Sequence, residues 1–236
     1  MFRNIDEKQE ILNRLEPTLV HENAITEDLL NKLISAYETG EKNHKPTGPV
    51  TVDYYPNEKD EWWTELNSLL TTYIGEHLIF ATNFFDVTKP HIIHNDDSLA
   101  KKPRLYKTVV IPLRIKKPTN FVVFDQCYLD GPIKGRHGAK QELDATKAKY
   151  YNQNLFDNSQ LEYYTNNMFD EVIWNKYLTH QPIERFWGLS VEKIVPWKPG
   201  NIIIFDTARL HCATDLIENL DIVYSHIWKN DVYKKL

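Results

Sequence analysis

The sequence predicts a mainly β fold, in which an antiparallel sandwich or barrel is flanked by helices. Helical patterns gather near the N-terminus, and roughly eight apolar, β-type runs follow them. Strand and helix patterns do not alternate regularly, as they would in a parallel sheet. At 236 residues the chain can bury a sizeable core, and its length suits a single domain over residues 1–236.

The composition narrows the classes of function. The net charge is −5 and the sequence pI is about 6.0, so no global attraction to nucleic acid or to an anionic membrane is expected. Two cysteines, Cys127 and Cys212, are too few for a disulfide framework, and there is no signal-peptide pattern or long apolar run. We therefore expect a cytoplasmic protein without a membrane partner, and the charge does not favour a nucleic-acid partner.

The N-terminal region, residues 1–77, is predicted to be a helical support for the strands. Residues 5–15 have an amphipathic helical pattern. A second helix is predicted to begin after Thr26, whose side chain can cap the first backbone N–H groups. Residues 50–55 are β-like, and residues 59–76 space Trp and Leu side chains as a helical face that we expect to be buried.

The strands are predicted to lie in residues 78–128 and 183–228, on either side of an insertion at 130–182. Strand-like runs cover 78–87, 105–115, 121–128, 186–195, 201–206 and 222–228. We expect the second and third of these runs to form an antiparallel pair, because a short Pro-Asn turn joins them. The insertion is polar and its best period is helical, as in 160–178. Both a lid over a binding site and a solvated excursion are compatible with it.

Two histidine-containing segments predict a metal site. Residues 90–97 read Pro-His-Ile-Ile-His-Asn-Asp-Asp, and residues 200–211 form an apolar run that ends in a histidine. His94 and Asp96 would share one face of an extended strand, because alternate side chains point the same way. With His211 they would form the set of two histidines and one carboxylate that leaves open positions on non-haem iron(II). A lone His-x-Asp triplet is common, but both histidines here end β-type runs, which favours the metal site.

These residues resemble those of a known family. His94-Asn95-Asp96, the β runs after it, the insertion and the sequence Pro-Gly-Asn-Ile-Ile-Ile-Phe-Asp-x-x-x-x-His are similar to the iron(II)- and 2-oxoglutarate-dependent dioxygenases, in particular the phytanoyl-CoA-hydroxylase-like branch. The resemblance implies a double-stranded β-helix, also called a jelly roll or cupin-like fold. It also implies that His94, Asp96 and His211 bind Fe(II), and that 2-oxoglutarate and dioxygen are co-substrates.

The same resemblance implies a reaction. Such enzymes most often hydroxylate a C–H bond and release succinate and carbon dioxide. Asp96 argues against halogenation, which needs that metal position vacated for chloride. We expect a small-molecule or acyl substrate ahead of a protein substrate, and the oligomeric state stays open.

The co-substrate's far carboxylate is where the sequence departs from the family. Many members carry an arginine about ten residues after the distal histidine, where its planar fork binds this carboxylate. No arginine follows Arg209 in this chain. Some branches use a lysine on the strand after the His-x-Asp motif, and Lys107 fits that place, on a face that we expect to point inward. Arg114, Arg209 and Ser225 are the other candidates for this role, and the candidate pocket residues are His91, Tyr106, Tyr224 and His226.

Two alternative functions belong to other classes. A cupin-like metalloenzyme that does not use 2-oxoglutarate would explain the missing late arginine directly. A non-catalytic jelly-roll protein would leave His94 and His211 as ordinary polar residues.

Overall fold

The computed structural model describes residues 16–40, 43–44, 50–54, 60–87, 90, 92–96, 106–115, 118–128, 155–156, 168–187, 189–214 and 220–228. The described helices are α1 (Glu27–Thr39), α2 (Glu61–Ile74), α3 (Glu171–Tyr177) and a 3-10 turn at Ile183–Phe186. The described strands are β1 (Leu19–His21), β2 (Asn43–His44), β3 (Val50–Tyr54), β4 (Leu78–Val87), β5 (Lys107–Ile115), β6 (Asn120–Tyr128), β7 (Leu155–Phe156), β8 (Val191–Pro196), β9 (Ile202–Asp206), β10 (Arg209–Ala213) and β11 (Leu220–Trp228).

Within the described residues, two antiparallel sheets face each other. The larger sheet has seven strands in the order β1-β9-β5-β11-β4-β3-β2, and the smaller has the order β10-β6-β7 with β8 also paired to β6. The strands β2, β3 and β4 are consecutive neighbours, but β1, β9, β5, β11 and β4 lie side by side without being consecutive in sequence, so the chain passes back and forth between the sheets. This arrangement is a double-stranded β-helix, and the predicted fold class is confirmed.

The predicted pairing between the runs 105–115 and 121–128 is wrong. β5 pairs with β9 and β11 in the larger sheet, whereas β6 pairs with β10 and β8 in the smaller one. The connection between β5 and β6 therefore crosses from one sheet to the other. A short connection with turn residues suits such a crossover as well as a hairpin, so local sequence alone did not distinguish them.

Residues 200–211 also divide between the two sheets. β9 ends at Asp206 in the larger sheet, and after a turn at Thr207 and Ala208 the chain continues as β10 in the smaller one. The Ala208 N–H donates a hydrogen bond to Asp206 Oδ1 at 2.9 Å, which stabilises the turn. Because of this turn, His211 on β10 lies in the smaller sheet, although the preceding strand β9 lies in the larger one.

The N-terminal helices cover one face of the larger sheet. Thr26 caps α1 as predicted, since its Oγ1 accepts a hydrogen bond from the Leu29 N–H at 3.2 Å. The core on this face combines side chains of α1, α2, β4, β5 and β9: Leu29, Leu33, Tyr37, Trp62, Trp63, Leu66, Leu70, Phe84, Val109, Ile111, Leu113, Ile202 and Ile204. The predicted helix at 5–15 lies outside the described residues. Among the described helices, none is long and apolar enough to cross a membrane.

Two further cores flank the smaller sheet. The core between the sheets contains Val110, Phe121, Val123, Val195, Trp197, Ile203, Phe205 and Ala213. The other face of the smaller sheet packs against residues 168–190 through Ile93, Val122, Phe124, Phe169, Leu178, Phe186, Leu189, Leu210 and Cys212. The predicted strand 186–195 is shorter than expected, because the 3-10 turn occupies Ile183–Phe186 and β8 begins at Val191.

Candidate metal centre

His94 and His211 are brought side by side by a β-bridge between their backbones. The His94 N–H donates to the His211 carbonyl at 3.0 Å, and the His211 N–H donates to the His94 carbonyl at 2.8 Å. Residues that exchange both hydrogen bonds in an antiparallel pair project their side chains to the same face. The two imidazole centroids are accordingly 4.3 Å apart, at an interplanar angle of 57°.

Asp96 adds a carboxylate to the two imidazoles. Its backbone N–H donates to the carbonyl of Thr207, in the turn between β9 and β10, at 2.9 Å. Its Oδ1 is 3.9 Å from His94 Nε2, and its Oδ2 is 3.7 Å from His211 Nε2. One ligand atom from each of the three residues lies within 4.8 Å of the others. The structure therefore brings the three predicted metal ligands together.

Both imidazoles are oriented by backbone carbonyls. His94 Nδ1 is 2.7 Å from the Ile92 carbonyl oxygen, and His211 Nδ1 is 2.9 Å from that of Arg209. A carbonyl oxygen can only accept a hydrogen bond, so each Nδ1 carries the proton and each Nε2 keeps its lone pair. Metal-binding histidines characteristically donate their other ring N–H in this way.

The donor set fits a divalent transition-metal ion. Adjacent ligands at about 2.1 Å from an octahedral ion lie about 3 Å apart, so the separations of 3.7 and 3.9 Å would shorten as an ion drew the side chains inward. Two neutral imidazoles and one carboxylate form the facial set typical of non-haem iron(II), with open positions for other ligands. These residues could therefore hold Fe(II).

Thr108 orients the carboxylate ligand. Its Oγ1 donates a hydrogen bond to Asp96 Oδ2 at 2.8 Å, and Thr108 itself is buried on β5. The carboxylate is thus tied to the larger sheet, whereas His211 belongs to the smaller one. Sequence reasoning missed Thr108, because strand alternation gave no signal for which face of β5 would meet Asp96.

An aromatic wall covers one side of the centre. The His211 ring lies 4.7 Å from the Phe205 ring and 5.4 Å from the Phe121 ring, between centroids. The His211 side chain is 1% exposed, compared with 17% for His94 and 10% for Asp96. The apolar wall keeps water away from His211, and the more accessible side of the centre is that of His94 and Asp96.

The fold has been seen in enzymes whose structures are solved. No protein-family model matches the chain, and no curated protein matches its sequence. SnoN, a non-haem α-ketoglutarate-dependent epimerase from nogalamycin biosynthesis, superposes with a TM-score of 0.51 at 11% identity, covering 94% of this chain and 82% of SnoN. The chain has the fold of this enzyme.

A second structure has the same fold and a different reaction. SnoK, a non-haem α-ketoglutarate-dependent carbocyclase from nogalamycin biosynthesis, superposes with a TM-score of 0.50 at 11% identity, covering 95% of this chain and 84% of SnoK. Because one fold carries out epimerisation in SnoN and ring closure in SnoK, the fold by itself does not select a hydroxylation outcome.

Lys107, predicted to bind the co-substrate, is paired within the protein. Its side chain is 1% exposed, and its Nζ lies 3.1 Å from Glu16 Oε2 and 4.9 Å from the Tyr106 ring centroid. Nζ and the carboxylate are close enough for an ion pair, but their angles are not those of a hydrogen bond. The apolar residues that alternate with Lys107 on β5 pack against α1 and α2, so the face expected to line the site is instead the helix-covered one.

Arg114 lies at the opposite end of β5 from Thr108. Its Nη1 is 2.6 Å from Glu38 Oε1 on α1, and its side chain is 44% exposed. Six residues along a strand correspond to about 20 Å. The contact with α1 and the backbone separation along β5 favour a structural role for Arg114 over the predicted binding of the co-substrate.

Arg209 acts as a support for β10. Its guanidinium donates to the carbonyls of Phe124 at 3.4 Å, Asp125 at 3.1 Å and Glu16 at 3.4 Å. It also lies 3.5 Å from Glu192 Oε2. Its own carbonyl orients His211. These contacts favour a structural role for Arg209 over the predicted binding of the co-substrate.

The remaining predicted residues are Tyr106, directly before β5, three residues of β11, and His91. The register of β11 against β5 places His226 opposite Thr108, with Ser225 and Tyr224 opposite the next two residues of β5. His91 lies outside the described residues. The roles suggested for these five residues stay predictions.

Proposed function

We propose that the protein is an iron(II)- and 2-oxoglutarate-dependent oxygenase of the phytanoyl-CoA-hydroxylase-like branch. The observation that carries the proposal is the convergence of two Nε2 atoms and one carboxylate, from His94, His211 and Asp96, in this fold. SnoN and SnoK, which share the fold, are non-haem, α-ketoglutarate-dependent enzymes. The proposed reaction is hydroxylation of a C–H bond in a small-molecule or acyl substrate, with release of succinate and carbon dioxide.

The protein's part in this reaction follows from the contacts of the three ligands. His94 and His211 would hold the ion through Nε2, since backbone carbonyls bind both Nδ1 protons. Asp96 would neutralise part of the metal charge while Thr108 fixes the direction of its carboxylate. When bound, iron(II) would supply the redox chemistry that uses dioxygen and 2-oxoglutarate to oxidise the substrate. The aromatic wall beside His211 would exclude water.

Lys107 is our proposed partner for the co-substrate's far carboxylate. Lys107 is 1% exposed, whereas the side chain of its present partner, Glu16, is 53% exposed. A buried ammonium needs an anion, because leaving it unpaired is costly. Glu16 can move into solvent, and a co-substrate carboxylate can take its place. Lys107 is the first residue of β5, so its long side chain can turn around the strand end toward the face on which Thr108 contacts Asp96.

The proposed enzyme is a single cytoplasmic domain. Residues 1–77 would support the strands of 78–128 and 183–228, and residues 130–182 would form the insertion. A reducing cytoplasm would keep iron ferrous and suits Cys212, a buried free thiol.

Metal binding and turnover test the proposal directly. The anaerobically purified protein should bind one equivalent of Fe(II), and should form succinate when 2-oxoglutarate and oxygen are added. Substitutions of residues that only orient a metal ligand lower metal affinity by up to roughly 100-fold. His94→Ala removes a ligand, so metal affinity should fall by more than this and succinate formation should be lost. His77→Ala is the matched control, because His77 Nδ1 also lies 2.8 Å from a backbone carbonyl, that of Gly75, outside the ligand set.

Other results would favour the alternative functions. Stoichiometric metal binding without any binding of 2-oxoglutarate to the anaerobic metal form would favour a cupin-like metalloenzyme. No stoichiometric metal binding would favour a non-catalytic jelly-roll protein.

A further inference from the structure

We infer that Gln181 is a positioning residue for the metal ligand His94; the inference rests on the metal site of the proposed function. Gln181 lies between α3 and the 3-10 turn, and it is 2% exposed. It is 88 residues away from the segment that carries His94, and it reaches that segment from the face of the smaller sheet covered by residues 168–190.

Gln181 binds the backbone directly before the ligand. Its Oε1 accepts a buried hydrogen bond from the Ile93 N–H at 2.9 Å, and Arg185 Nη1 donates to the same oxygen at 3.5 Å. Both neighbours are donors, so the atom that faces them must be the amide oxygen and not the amide nitrogen. The contact is therefore specific for a side chain with an acceptor at this position.

The peptide group between Ile92 and Ile93 connects Gln181 to His94. Its N–H donates to Gln181, and its carbonyl, that of Ile92, accepts the Nδ1 proton of His94 at 2.7 Å. The peptide group is planar, so fixing the direction of the N–H also fixes the direction of the carbonyl. Hydrogen bonds in such a chain polarise one another, which strengthens the carbonyl as an acceptor. Gln181 thereby holds the tautomer and the direction of the imidazole whose Nε2 would bind the metal.

Gln181 is itself held in place. Its backbone carbonyl accepts the indole N–H of Trp174 at 2.9 Å, and its backbone N–H donates to the Leu178 carbonyl at 3.1 Å. Its side-chain Nε2 lies 2.8 Å from His180 Nε2. Because both the backbone and the amide are anchored, the side chain can orient the Ile92–Ile93 peptide instead of following it.

This contact gives the insertion a role in the metal centre. Gln181 falls within the predicted insertion at 130–182, whose described part packs on the smaller sheet through residues such as Leu178. The described end of the predicted insertion, residues 168–182, would thus support a ligand from behind.

Cobalt(II) binding to the full chain tests the inference without any need for turnover. Gln181→Met keeps the length of the side chain but removes the acceptor, and it should weaken cobalt(II) binding about 10-fold. Gln181→Glu keeps an acceptor oxygen, so it should bind cobalt(II) within about twofold of the unsubstituted protein. Affinity would be measured by calorimetry, and the nitrogen chemical shifts of the metal-free His94 ring should show a loss of the Nδ1-protonated form in Gln181→Met only.

Asn201→Leu is the matched control for a general loss of stability. The Asn201 Oδ1 accepts a hydrogen bond from the Asn23 N–H at 2.9 Å, and Asn201 is 3% exposed, so the bond type is the same and the side chain is similarly buried. Asn201 directly precedes β9, at the end opposite the turn that contacts Asp96. It should lower the melting temperature without changing cobalt(II) affinity.

Three results would overturn the inference. Gln181→Met could bind cobalt(II) as tightly as the unsubstituted protein, or Asn201→Leu could lose the same affinity, and in either case the proposed function would still stand. If the unsubstituted protein bound no cobalt(II), the proposed metal site and this inference would both fail.

Discussion

Thr108 donates a hydrogen bond to Asp96 across a separation of 2.8 Å, and this contact joins the carboxylate ligand to the larger sheet. His211, on β10, belongs to the smaller sheet. The candidate metal centre therefore depends on how the two sheets are held relative to each other. An ion bound by these ligands would in turn connect the sheets.

The first prediction concerns this hydrogen bond. Thr108→Val keeps the shape of the side chain and removes the donor, so the carboxylate should lose its fixed direction. Metal affinity should fall about 10- to 100-fold, as is typical when a group that orients a ligand is removed. Thr108→Ser keeps the hydroxyl and should retain most of the affinity. Calorimetric titration with cobalt(II) measures both, and equal affinity in Thr108→Val and the unsubstituted protein would contradict the role of Thr108.

The second prediction concerns the proposed co-substrate site at Lys107. Lys107→Met should weaken binding of 2-oxoglutarate to the anaerobic metal-bound protein, because the cation is lost. Glu16→Gln should strengthen it, because no carboxylate then competes for the ammonium. Titration of 2-oxoglutarate by calorimetry measures the two dissociation constants.

Lys193→Met is the control for the second prediction. Lys193 Nζ donates to the Thr18 carbonyl at 2.7 Å, so this variant removes a lysine from the same part of the molecule without touching the Glu16 pair. Unchanged 2-oxoglutarate binding in Lys107→Met would refute the proposed role of Lys107. An equal loss in Lys193→Met would point to a general structural effect.

The third prediction concerns metal removal. A ligand that binds only the folded state stabilises it, by about 2.7 kcal/mol at a free concentration 100 times its dissociation constant. We therefore expect the free energy of unfolding, measured in urea, to rise by about this amount when nickel(II) is added at that excess. Adding a chelator should restore the value of the metal-free protein. Asp96→Asn should lose the increment. An increment that survives in Asp96→Asn would indicate that the metal binds elsewhere.

The fourth prediction concerns stability in mild acid. His21 stacks on Tyr73 with ring centroids 3.7 Å apart and an interplanar angle of 18°, and burial lowers the pKa of His21 below the ordinary 6.5. The unfolded chain therefore takes up a proton at a higher pH than the folded protein does. Above pH 6.5, His21 should not reduce the free energy of unfolding, because it is mostly neutral in both states. As the pH drops below 6.5 toward the pKa of the folded protein, the free energy of unfolding should fall.

His21→Phe isolates this effect. Phenylalanine keeps a ring to stack on Tyr73 but cannot be protonated. The melting temperature of the variant should therefore decline less between pH 7 and pH 5 than that of the unsubstituted protein. An identical decline in both proteins would show that other groups cause the acid sensitivity.

The metal ligands could be predicted from sequence because their signals are local. His94 and Asp96 are two residues apart at the end of an apolar stretch, and His211 ends a second one. They meet because an isolated β-bridge pairs His94 with His211. The extended strand expected at His94 and Asp96 is not formed, since bends at Ile93 and Asp96 flank the bridge. The residues that support them could not be predicted in the same way. Strand alternation relates Lys107 to Thr108 as opposite faces, but it does not say which face will meet Asp96.

The sequence by itself determined the longer helices and strands and the side chains that can bind a metal, because periodicity and side-chain chemistry act over a few residues. The short strands β1, β2, β7 and β10 were not predicted. Only the tertiary structure decided that β5 and β6 lie in different sheets. It alone decided that Thr108 meets Asp96 and that Gln181 reaches the peptide before His94. These contacts join residues distant in sequence, and they form only when the two sheets and the segment from residue 168 to 190 pack together.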